Sequence, residues 1–439
     1  MNNRETEAYV EEINQYGSTF GLSNIHNLLQ FLDNPQDALL FIHIAGTNGK
    51  GSTLAFISTI LKCAGFKVGR YISPTLFDYR ERIQINGRMI SKKDLASYMT
   101  RIKESITDMQ KAGFPHPTAF EIETALSFLY FKEKGCELVV LETGLGGLLD
   151  ATNIIKTTLV AVLTSISMDH MAFLGNSLEQ IAIQKAGIIK DKCYVVCNEQ
   201  EKEVMAVIEG ICEKKGNILR IAKKSDLTNV RYGLKVQMFN YKEWKKIKIA
   251  LAGTYQIENA IVSLEVINAL RALDFTITKN AIYKGFMETI WPGRFTIIAD
   301  SPLFIMDGAH NENAAKQLAD SIRFYFTNKR IIYIIGVLKD KQYDKIIQET
   351  YAYAEQIITI STPNHKRGMP AYELAQEIQP YHDSVTVADS LQEAVEISYL
   401  LADKDSVIIA FGSLSYLGEL ATIVQSRDKI RRDSHGRSK

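Results

Sequence analysis

The sequence has little of several features that mark special classes of protein. No apolar run approaches the ~18–20 residues needed to span a bilayer, and the five cysteines are too few and too irregularly spaced for a disulfide framework. Lysine and arginine number 51 against 50 aspartates and glutamates, so the net charge is +1. This balance argues against a nucleic-acid or membrane partner. The charged N-terminus lacks the apolar segment of a signal peptide, and we expect a cytoplasmic protein.

The 439 residues suffice for two or three domains, and 46% of them are hydrophobic, which is ordinary for a globular protein. Short apolar runs such as 39–46 and 137–144 alternate with helical patterns such as 52–65 and 177–189. This alternation predicts an α/β fold with a mainly parallel sheet covered on both faces.

The pattern changes in residues 215–250, where NILRIA, VRYGLKVQMFN and EWKKIKIAL suggest antiparallel strands around polar turns. Residues 291–311 contain a hairpin-like pair of strands and open a second alternating region. We therefore predict an N-terminal domain over residues 1–295 and a smaller α/β domain over residues 296–439.

The sharpest motif is AGTNGKGS, residues 45–52, between an apolar strand and a helical pattern. Glycines let a backbone approach an anion closely, and the following helix N-terminus favours phosphate. Lys50 can reach the β- and γ-phosphates and Ser52 can ligate magnesium, although the spacing of the first glycines is shorter than in the common phosphate loop. A purely structural turn is the alternative. The residues expected to bind ATP here are Gly46, Thr47, Asn48, Gly49, Lys50, Gly51 and Ser52.

Three other residues extend this site. Glu142 ends a buried strand, at the edge of a parallel sheet where ligands bind, and could supply the acidic group that a phosphate loop needs to hold its metal. His170 follows the next apolar strand and is a candidate metal ligand. Lys185 lies in a helix with few other charges. The alternatives are a solvated strand end for Glu142, a structural histidine, and a lysine that extends along the helix to the surface.

Several further strings occur in one order: SPTLFDYRERIQING (73–87), TAFEIETALSFLYF (118–131), GLGGLLDATN (144–153), SISMDHMAFLGNSLEQIAIQKAGIIK (165–190), WPGR (291–294) and DGAHN (307–311). Together with the phosphate loop, this set resembles the folylpolyglutamate synthase and dihydrofolate synthase family of the Mur ligase superfamily, from about residue 20 to residue 418.

The resemblance implies an ATP-dependent amide ligase. ATP phosphorylates a folate or pteroate carboxylate to an acyl phosphate, and the glutamate amine attacks it to form an amide. It also implies a phosphate-loop ATPase domain, a Rossmann-like C-terminal domain, ATP in the cleft between them with Arg294 at the hinge, one or two magnesium ions, and a monomer.

Roles follow from the resemblance position by position. The implied catalytic set is Lys50, Glu142, His170 and Lys185, of which Lys185 matches a lysine that can be carbamylated. The implied magnesium ligands are Ser52, Ser73, Glu142 and His170. Further implied ATP contacts are Asn259 with the adenine, Arg294 with the phosphates, Asp307 with the ribose and His310 next to the phosphates. The implied pterin-substrate region comprises Thr118, Phe120, Glu121, Leu149, Asp150 and Ala151.

The chain departs from the family pattern at several positions. It has Leu148 where the family usually has arginine, Thr75 in place of histidine, Tyr255 where histidine is frequent, and Glu312 where proline is common. The changes at residues 75 and 148 fall on the substrate side and bear on folate affinity, whereas the ATP chemistry is left intact.

The resemblance leaves the specific reaction open. We expect addition of glutamate to folates, with dihydrofolate synthesis from dihydropteroate, or both reactions, as the alternatives. Two rival interpretations are less favoured. A peptidoglycan Mur ligase would carry an additional domain before the phosphate loop, which here begins near residue 46. A non-catalytic nucleotide-binding protein would not need Lys50, Glu142 and His170, and all three are present. A nucleic-acid-stimulated ATPase would need a basic stripe.

Overall fold

The computed structural model describes residues 1–13, 21–363 and 367–436. Contacts divide the chain into two compact units. The first comprises Met1–Val230, Phe239–Ile249 and Ile257–Thr289, and the second comprises Arg231–Met238, Ala250–Gln256 and Ile290–Lys439. The long C-terminal segment of the second unit thus begins six residues before the predicted start at residue 296, and the exact domain division stays a prediction.

Fifteen α-helices occur among the described residues. They are α1 (Asn3–Ile13), α2 (Ser23–Gln30), α3 (Lys50–Cys63), α4 (Lys92–Lys111), α5 (Ala119–Glu133), α6 (Met171–Leu174), α7 (Leu178–Ala186), α8 (Lys202–Lys215), α9 (Gln256–Ala272), α10 (Lys279–Glu288), α11 (Glu312–Tyr325), α12 (Tyr343–Thr350), α13 (Ala371–Ile378), α14 (Leu391–Leu401) and α15 (Leu414–Gly436).

Seventeen strands occur in the same described part of the chain. They are β1 (Phe41–Ala45), β2 (Val68–Tyr71), β3 (Ile83–Ile85), β4 (Arg88–Met89), β5 (Leu138–Glu142), β6 (Thr158–Leu163), β7 (Tyr194–Asn198), β8 (Ile218–Ala222), β9 (Leu227–Arg231), β10 (Gln237–Tyr241), β11 (Trp244–Ile249), β12 (Thr296–Asp300), β13 (Leu303–Met306), β14 (Arg330–Ile335), β15 (Gln356–Thr359), β16 (Val385–Val387) and β17 (Ser406–Phe411).

The first unit is built on an eight-stranded sheet in the order β4-β3-β2-β5-β1-β6-β7-β8. All pairs from β2 to β8 across the sheet are parallel, whereas β3 and β4 add an antiparallel edge. Strands β1 and β5 are buried along their whole length. Their near-continuous apolar sequences fit this central position, where both faces are covered. The predicted fold class, with a mainly parallel sheet in this part, is confirmed.

One strand in residues 215–250 was predicted wrongly. The segment NILRIA was expected to pair in an antiparallel manner, but β8 pairs parallel with β7, in a register that joins Val195 to Leu219. Helix α8 lies between the two strands in sequence, and it provides the crossover connection that parallel pairing requires. Strands β9, β10 and β11 form a separate three-stranded sheet.

The second unit contains a six-stranded sheet in the order β12-β13-β17-β14-β15-β16. The predicted hairpin-like pair is confirmed, because β12 and β13 are antiparallel. The remaining pairs are parallel. Their apolar residues pack with α11, α12 and α13 into one core that includes Ile305, Leu318, Tyr333, Ile346 and Phe411. The turn after β13 therefore lies at the carboxyl end of parallel strands, where ligands bind in open α/β sheets.

No helix among the described residues is both long enough and apolar enough to cross a membrane.

Candidate functional site

The predicted phosphate loop connects β1 to α3, as the sequence indicates. Gly46 has φ +154° and Gly49, the residue before the helix, has φ +89°. A Cβ on Gly46 would overlap the Thr164 hydroxyl, and a Cβ on Gly49 would lie 2.5 Å from Asn259 Oδ1. Both positions therefore require glycine for conformation and for space. The buried α3 that follows offers its free N–H groups at the loop.

The segment after β6 fixes the loop from behind. The Thr47 and Asn48 amides donate to the Ser165 carbonyl, with N–O distances of 2.7 and 3.3 Å. The Thr47 hydroxyl donates to the Ser167 carbonyl at 3.1 Å and accepts from the Ser167 amide at 3.0 Å. Two strands that are neighbours in the sheet but more than a hundred residues apart in sequence therefore set the loop conformation together.

Two lysines from different helices converge on one carbonyl of this loop. Lys50 Nζ lies 3.1 Å from the Gly46 oxygen and 3.2 Å from the Thr47 oxygen. Lys185 Nζ, on α7, donates to the same Gly46 oxygen at 2.9 Å. Lys185 is buried, with 4% of its surface exposed. The alternative in which Lys185 extends along the helix to the surface is therefore wrong, and its ammonium belongs to the loop.

Asn259, an implied adenine contact, lies on α9 against the phosphate loop, where its side-chain oxygen faces Gly49. The Ser263 hydroxyl, one turn further on, donates to the Asn259 carbonyl at 2.7 Å and approaches the Thr53 carbonyl of α3 at 3.4 Å. Helix α9 therefore brings Asn259 to the predicted nucleotide site. Its contact with adenine stays a prediction.

The implied magnesium ligands lie on several elements of the first unit. Glu142 ends β5 in register with Ile44 of β1, and the residue is buried, with 5% of its surface exposed. Ser52 is buried in the first turn of α3. Ser73 follows β2 and precedes a proline. His170 has φ +51°, is exposed, and its Nε2 lies 3.9 Å from Asp169 Oδ2.

These donors fit a magnesium ion that relies on the nucleotide for part of its coordination. No three His, Cys, Asp or Glu side chains of the described residues converge as a protein-only metal cage. Mg²⁺ prefers oxygen ligands and is usually held by one or two carboxylates, waters and substrate phosphates. The hydroxyls of Ser52 and Ser73 and the Glu142 carboxylate match this chemistry, whereas the His170 imidazole is a less typical Mg²⁺ ligand.

The implied substrate residues at the start of α5 have structural partners. Thr118 and Glu121 form a capping box, in which the Glu121 carboxylate accepts from the Thr118 amide at 2.8 Å and from its hydroxyl at 2.9 Å. Its other oxygen accepts from the Ile25 amide at 3.2 Å. The Phe120 ring packs on Gly144, where a Cβ would lie 2.6 Å from Phe120 Cζ. Contacts of Thr118, Phe120 and Glu121 with substrate stay predictions.

Asp150 holds the GLGG turn, residues 144–147, from inside. Its Oδ2 accepts from the Leu145 amide at 2.8 Å, and its Oδ1 accepts from the Thr152 amide and hydroxyl at 3.0 and 2.5 Å. Thr152 Oγ1 lies 2.9 Å from Nε2 of the fully buried His43 on β1. Burial raises the pKa of Asp150, although these hydrogen bonds lower it.

Next to Asp150 the surface is apolar. Leu148 and Leu149 are 41% and 44% exposed, whereas Ala151 is buried. The Leu148 amide donates to the Gln184 carbonyl at 2.7 Å, so the turn rests on the last residues of α7. The structure thus places Leu149, Asp150 and Ala151 on one short turn, with only Leu149 open to solvent.

The buried His43 should make the stability of the folded protein depend on pH. Burial, and secondarily the Lys190 charge, lower its pKa to about 3 from 6.5. The folded protein therefore keeps His43 neutral while the unfolded chain takes up a proton below pH 6.5. The contribution of the neutral His43 to the free energy of unfolding is complete above pH 6.5. It falls by about 1.4 kcal/mol per pH unit as the pH decreases from 6.5 toward 3.

We expect His43→Gln to remove this slope, because glutamine is neutral and can donate to Thr152 Oγ1. Urea denaturation of both proteins at pH 7.5 and 5.0 measures it. The wild type should lose about 2 kcal/mol more than the variant over this interval. Equal losses would contradict a neutral, buried His43.

In the second unit, WPGR and DGAHN lie against each other. The Gly308 amide donates to the Gly293 carbonyl at 2.8 Å, and Arg294 Nη1 donates to the same oxygen at 2.9 Å. A Cβ on Gly308 would overlap Arg294 Nη1. The His310 ring nitrogen Nδ1 lies 2.7 Å from the Gly308 oxygen. His310 precedes the N-terminus of α11, which Asn311 caps.

Asp307, the first residue of this turn, is 3% exposed and accepts three hydrogen bonds. Its donors are the Tyr255 hydroxyl and the amides of Phe295 and Ala309, each 2.8 Å from a carboxylate oxygen. Burial raises the pKa of Asp307, while the Arg294 charge and these hydrogen bonds lower it. The structure brings Arg294, Asp307 and His310 together, and their nucleotide contacts stay predictions.

Comparison with known proteins identifies the family. Residues 44–267 match the Mur ligase middle domain, and residues 293–414 match the glutamate ligase domain of Mur ligases. The dihydrofolate synthase/folylpolyglutamate synthase of Bacillus subtilis is 32% identical over 415 residues, which cover 92% of this chain and 95% of that protein. The chain belongs to the folylpolyglutamate synthase and dihydrofolate synthase family. Folylpolyglutamate synthase of Lacticaseibacillus casei is 31% identical over 424 residues, covering 94% of this chain and 96% of that protein.

Solved structures of this family share the whole fold. Mycobacterium tuberculosis folylpolyglutamate synthase complexed with ADP and AMPPCP has a TM-score of 0.88 at 26% identity, covering 96% of this chain and 99% of that one. E. coli FolC in complex with DHPP and ADP has a TM-score of 0.85 at 28% identity, covering 96% and 98%. The predicted family and the predicted enzyme class, an ATP-dependent ligase, are confirmed.

The family resemblance did not direct attention to three arrangements that the structure shows, around Arg82, Tyr255 and His43. Arg82 Nη1 pairs with Glu123 Oε2 at 3.1 Å, which fastens the segment carrying Ser73 to α5. Burial raises the pKa of Glu123, while the Arg82 charge lowers it. Tyr255 was noted only as a departure from the family pattern. Its proximity in sequence to Asn259, an implied nucleotide contact, could have indicated a place near the nucleotide site. His43 likewise gave no signal, because a histidine in an apolar strand is usually structural.

Proposed function

We propose that the chain is a tetrahydrofolylpolyglutamate synthase, a ligase that adds L-glutamate to a folate carboxylate and converts ATP to ADP and phosphate. Dihydrofolate synthesis from dihydropteroate, alone or as a second activity, is the alternative, because relatives of both kinds resemble the full chain. The observation that carries the proposal is the phosphate loop, in which Gly46 and Gly49 have no room for a Cβ and Lys50 lies along the loop.

The first unit supplies the main phosphate-binding groups. The amides at the start of α3 and the positive end of the helix favour the β- and γ-phosphates. Lys50 adds a cation, and the two loop carbonyls that it contacts are neutral acceptors that a phosphate oxygen can replace. Asn259, Arg294, Asp307 and His310 are proposed as the further nucleotide contacts.

In the first chemical step, an oxygen of the acceptor carboxylate attacks the γ-phosphorus and ADP leaves. In the second, the glutamate amine attacks the acyl carbon and phosphate leaves with the electrons of the broken C–O bond, while the amine loses a proton. Charge on the transferred phosphoryl group grows during the first step, so the fixed amides and Lys50 stabilise it.

Magnesium is proposed as the metal, with Ser52, Ser73, Glu142 and His170 as its protein ligands. Bound there, it would neutralise phosphate charge and orient the transferred group. Lys185 is the proposed site of carbamylation. The carbamate nitrogen keeps one N–H, so the modified side chain could retain its hydrogen bond to the Gly46 oxygen while presenting a carboxylate.

The acceptor is proposed to lie along Thr118–Glu121 and Leu149–Ala151. Phe120, packed on Gly144, and the exposed Leu149 offer apolar surface for a pterin or benzoyl ring. The buried Asp150 and Glu121 carboxylates support this surface by holding the turn and the first turn of α5. We further propose a cytoplasmic monomer. All five cysteines are free thiols, which suits a reducing compartment.

Release of ADP by the purified protein with magnesium, ATP and glutamate tests the proposal. Parallel reactions contain a reduced monoglutamyl folate, dihydropteroate, or neither acceptor, and each is repeated without glutamate. Release with the folate alone would support a dedicated polyglutamate synthase, and release with both acceptors a bifunctional enzyme. Release with dihydropteroate alone would establish the alternative, and no acceptor-dependent release would contradict both.

A further inference from the structure

Asp307 lies where three segments of the second unit meet. It follows β13, and its carboxylate joins its own turn to the Phe295 amide and to Tyr255, which precedes α9. The Ala309 amide closes the turn on Oδ1, two residues after the aspartate, which is the geometry of an Asx turn. The carboxylate therefore organises the WPGR and DGAHN segments before any ligand arrives.

The hydrogen bonds of this carboxylate leave one of its acceptor positions unused. Two carboxylate oxygens provide about four acceptor positions. Oδ2 uses two of them, for the Tyr255 hydroxyl and the Phe295 amide, and Oδ1 uses one, for the Ala309 amide. Within the described part of the chain, the remaining position is thus on Oδ1. A single buried acceptor suits one O–H or N–H donor of a ligand.

Tyr255 is the only side chain among these three donors. Its position is set by the segment before it, because the Thr254 amide donates to the Ser321 hydroxyl at 3.1 Å and the Gln237 side chain donates to the Gly253 carbonyl at 2.9 Å. Burial and the Asp307 carboxylate raise the pKa of Tyr255 well above its usual value, so the hydroxyl keeps its proton and donates.

The two backbone donors fix where the carboxylate lies, and Tyr255 fixes how it is turned. Without the hydroxyl, Oδ2 would have a vacant acceptor position as well, and the carboxylate could rotate to offer either oxygen to a ligand. With the hydroxyl, the vacant position is confined to Oδ1. A ribose supplies the matching group, since each of its hydroxyls can donate one hydrogen bond.

We propose that Tyr255 is a positioning residue for nucleotide binding, which saturates Asp307 Oδ2 and thereby directs Oδ1 to accept a hydrogen bond from a ribose hydroxyl. This inference rests on the proposed function, in which Asp307 is a nucleotide contact. It concerns a residue that departs from the family pattern, and it assigns the hydroxyl a part in nucleotide affinity rather than in the chemical step.

Calorimetric titration of the full-length protein with ADP and with 2′,3′-dideoxy-ADP, in the presence of magnesium, tests the proposal. We expect wild type to bind ADP roughly tenfold more tightly than the dideoxy nucleotide, the effect of one hydrogen bond to a charged acceptor. Tyr255→Phe should bind ADP roughly tenfold more weakly than wild type does, while its affinity for the dideoxy nucleotide should change less than threefold.

Tyr241→Phe is the matched control. The Tyr241 hydroxyl also donates to a buried carboxylate, Glu265 Oε1, at 3.0 Å, but neither residue belongs to the proposed site. This variant should match wild type in the affinity for both nucleotides. In the ADP-release assay, Tyr255→Phe should raise the KM for ATP by the same factor as the ADP dissociation constant and leave kcat within twofold.

Two results would overturn the proposal. If Tyr255→Phe weakened ADP and the dideoxy nucleotide equally, the hydroxyl would act on the fold and not on ribose recognition. If wild type bound both nucleotides equally, no ribose hydroxyl would contact Asp307, and this result needs no variant. Because the binding measurements contain no acceptor, they stand even if acceptor-dependent ADP release, and with it the proposed function, fails.

Discussion

Lys50→Ala is expected to lower acceptor-dependent ADP release about a thousandfold or more. The side chain lies along the phosphate loop, with its Nζ 3.1 Å from the Gly46 oxygen and 3.2 Å from the Thr47 oxygen. Alanine removes the only charge that the loop motif itself carries, so the transferred phosphoryl group would lose the cation that the loop supplies. Steady-state ADP release with saturating glutamate and acceptor measures the effect.

Lys62→Ala is the matched control for this change. Lys62 lies in the last turn of the same helix and is exposed, so its loss removes an equal charge far along α3 from the loop. It should leave ADP release within about twofold of wild type, as expected for a surface substitution. Circular dichroism and the melting temperature should confirm that both variants are folded. A folded Lys50→Ala protein with normal turnover would contradict the ATP site as assigned.

Glu142→Gln is expected to reduce ADP release about a hundredfold and to raise the magnesium concentration needed for half-maximal nucleotide binding. The substitution keeps the size of the side chain and removes its negative charge at the end of β5. A carboxylate is a much better ligand for Mg²⁺ than a neutral amide is. Calorimetric titration of ADP at several magnesium concentrations gives a readout that does not depend on turnover.

Glu137→Gln serves as the control, because Glu137 immediately precedes the same strand at its opposite end. Its Oε2 accepts from the Lys67 amide at 2.8 Å, and a glutamine oxygen can take over this hydrogen bond. Magnesium dependence and turnover should therefore stay at wild-type values. If Glu142→Gln shifted neither quantity while Glu137→Gln behaved as expected, Glu142 would not be a metal ligand, and a structural strand end would explain it.

The sequence predicted the arrangement of the first unit well because its signals are local. Strands β1, β5 and β6 are mainly apolar, and such runs between helical patterns indicate a buried parallel sheet. The phosphate loop could be read in the same way, since glycines are demanded by backbone conformation and space at particular positions. The structure gives a physical reason for two of them, Gly46 and Gly49.

The error at β8 shows where this reasoning stops. Its residues are mostly half-buried and follow α8, in a sequence that becomes more polar. Parallel and antiparallel strands have the same two-residue alternation, so the pattern alone does not give the direction of pairing. The direction came from the crossover through α8, a connection that depends on how the helix packs against the sheet.

The chain by itself determined its family, the α/β class and the position of the phosphate loop, because motif spacing and hydrophobic periodicity are properties of short segments. Only the tertiary structure decided which distant groups the carboxylates and lysines of the site meet. Glu121 and Asp307 each accept a hydrogen bond from a group far away in the sequence, the Ile25 amide and the Tyr255 hydroxyl, whereas the donors to Asp150 lie within five residues of it. Lys185 meets Gly46 across 139 positions of chain. Hydrogen bonds act over about 3 Å, so partners that are far apart in sequence come within reach only in the folded arrangement.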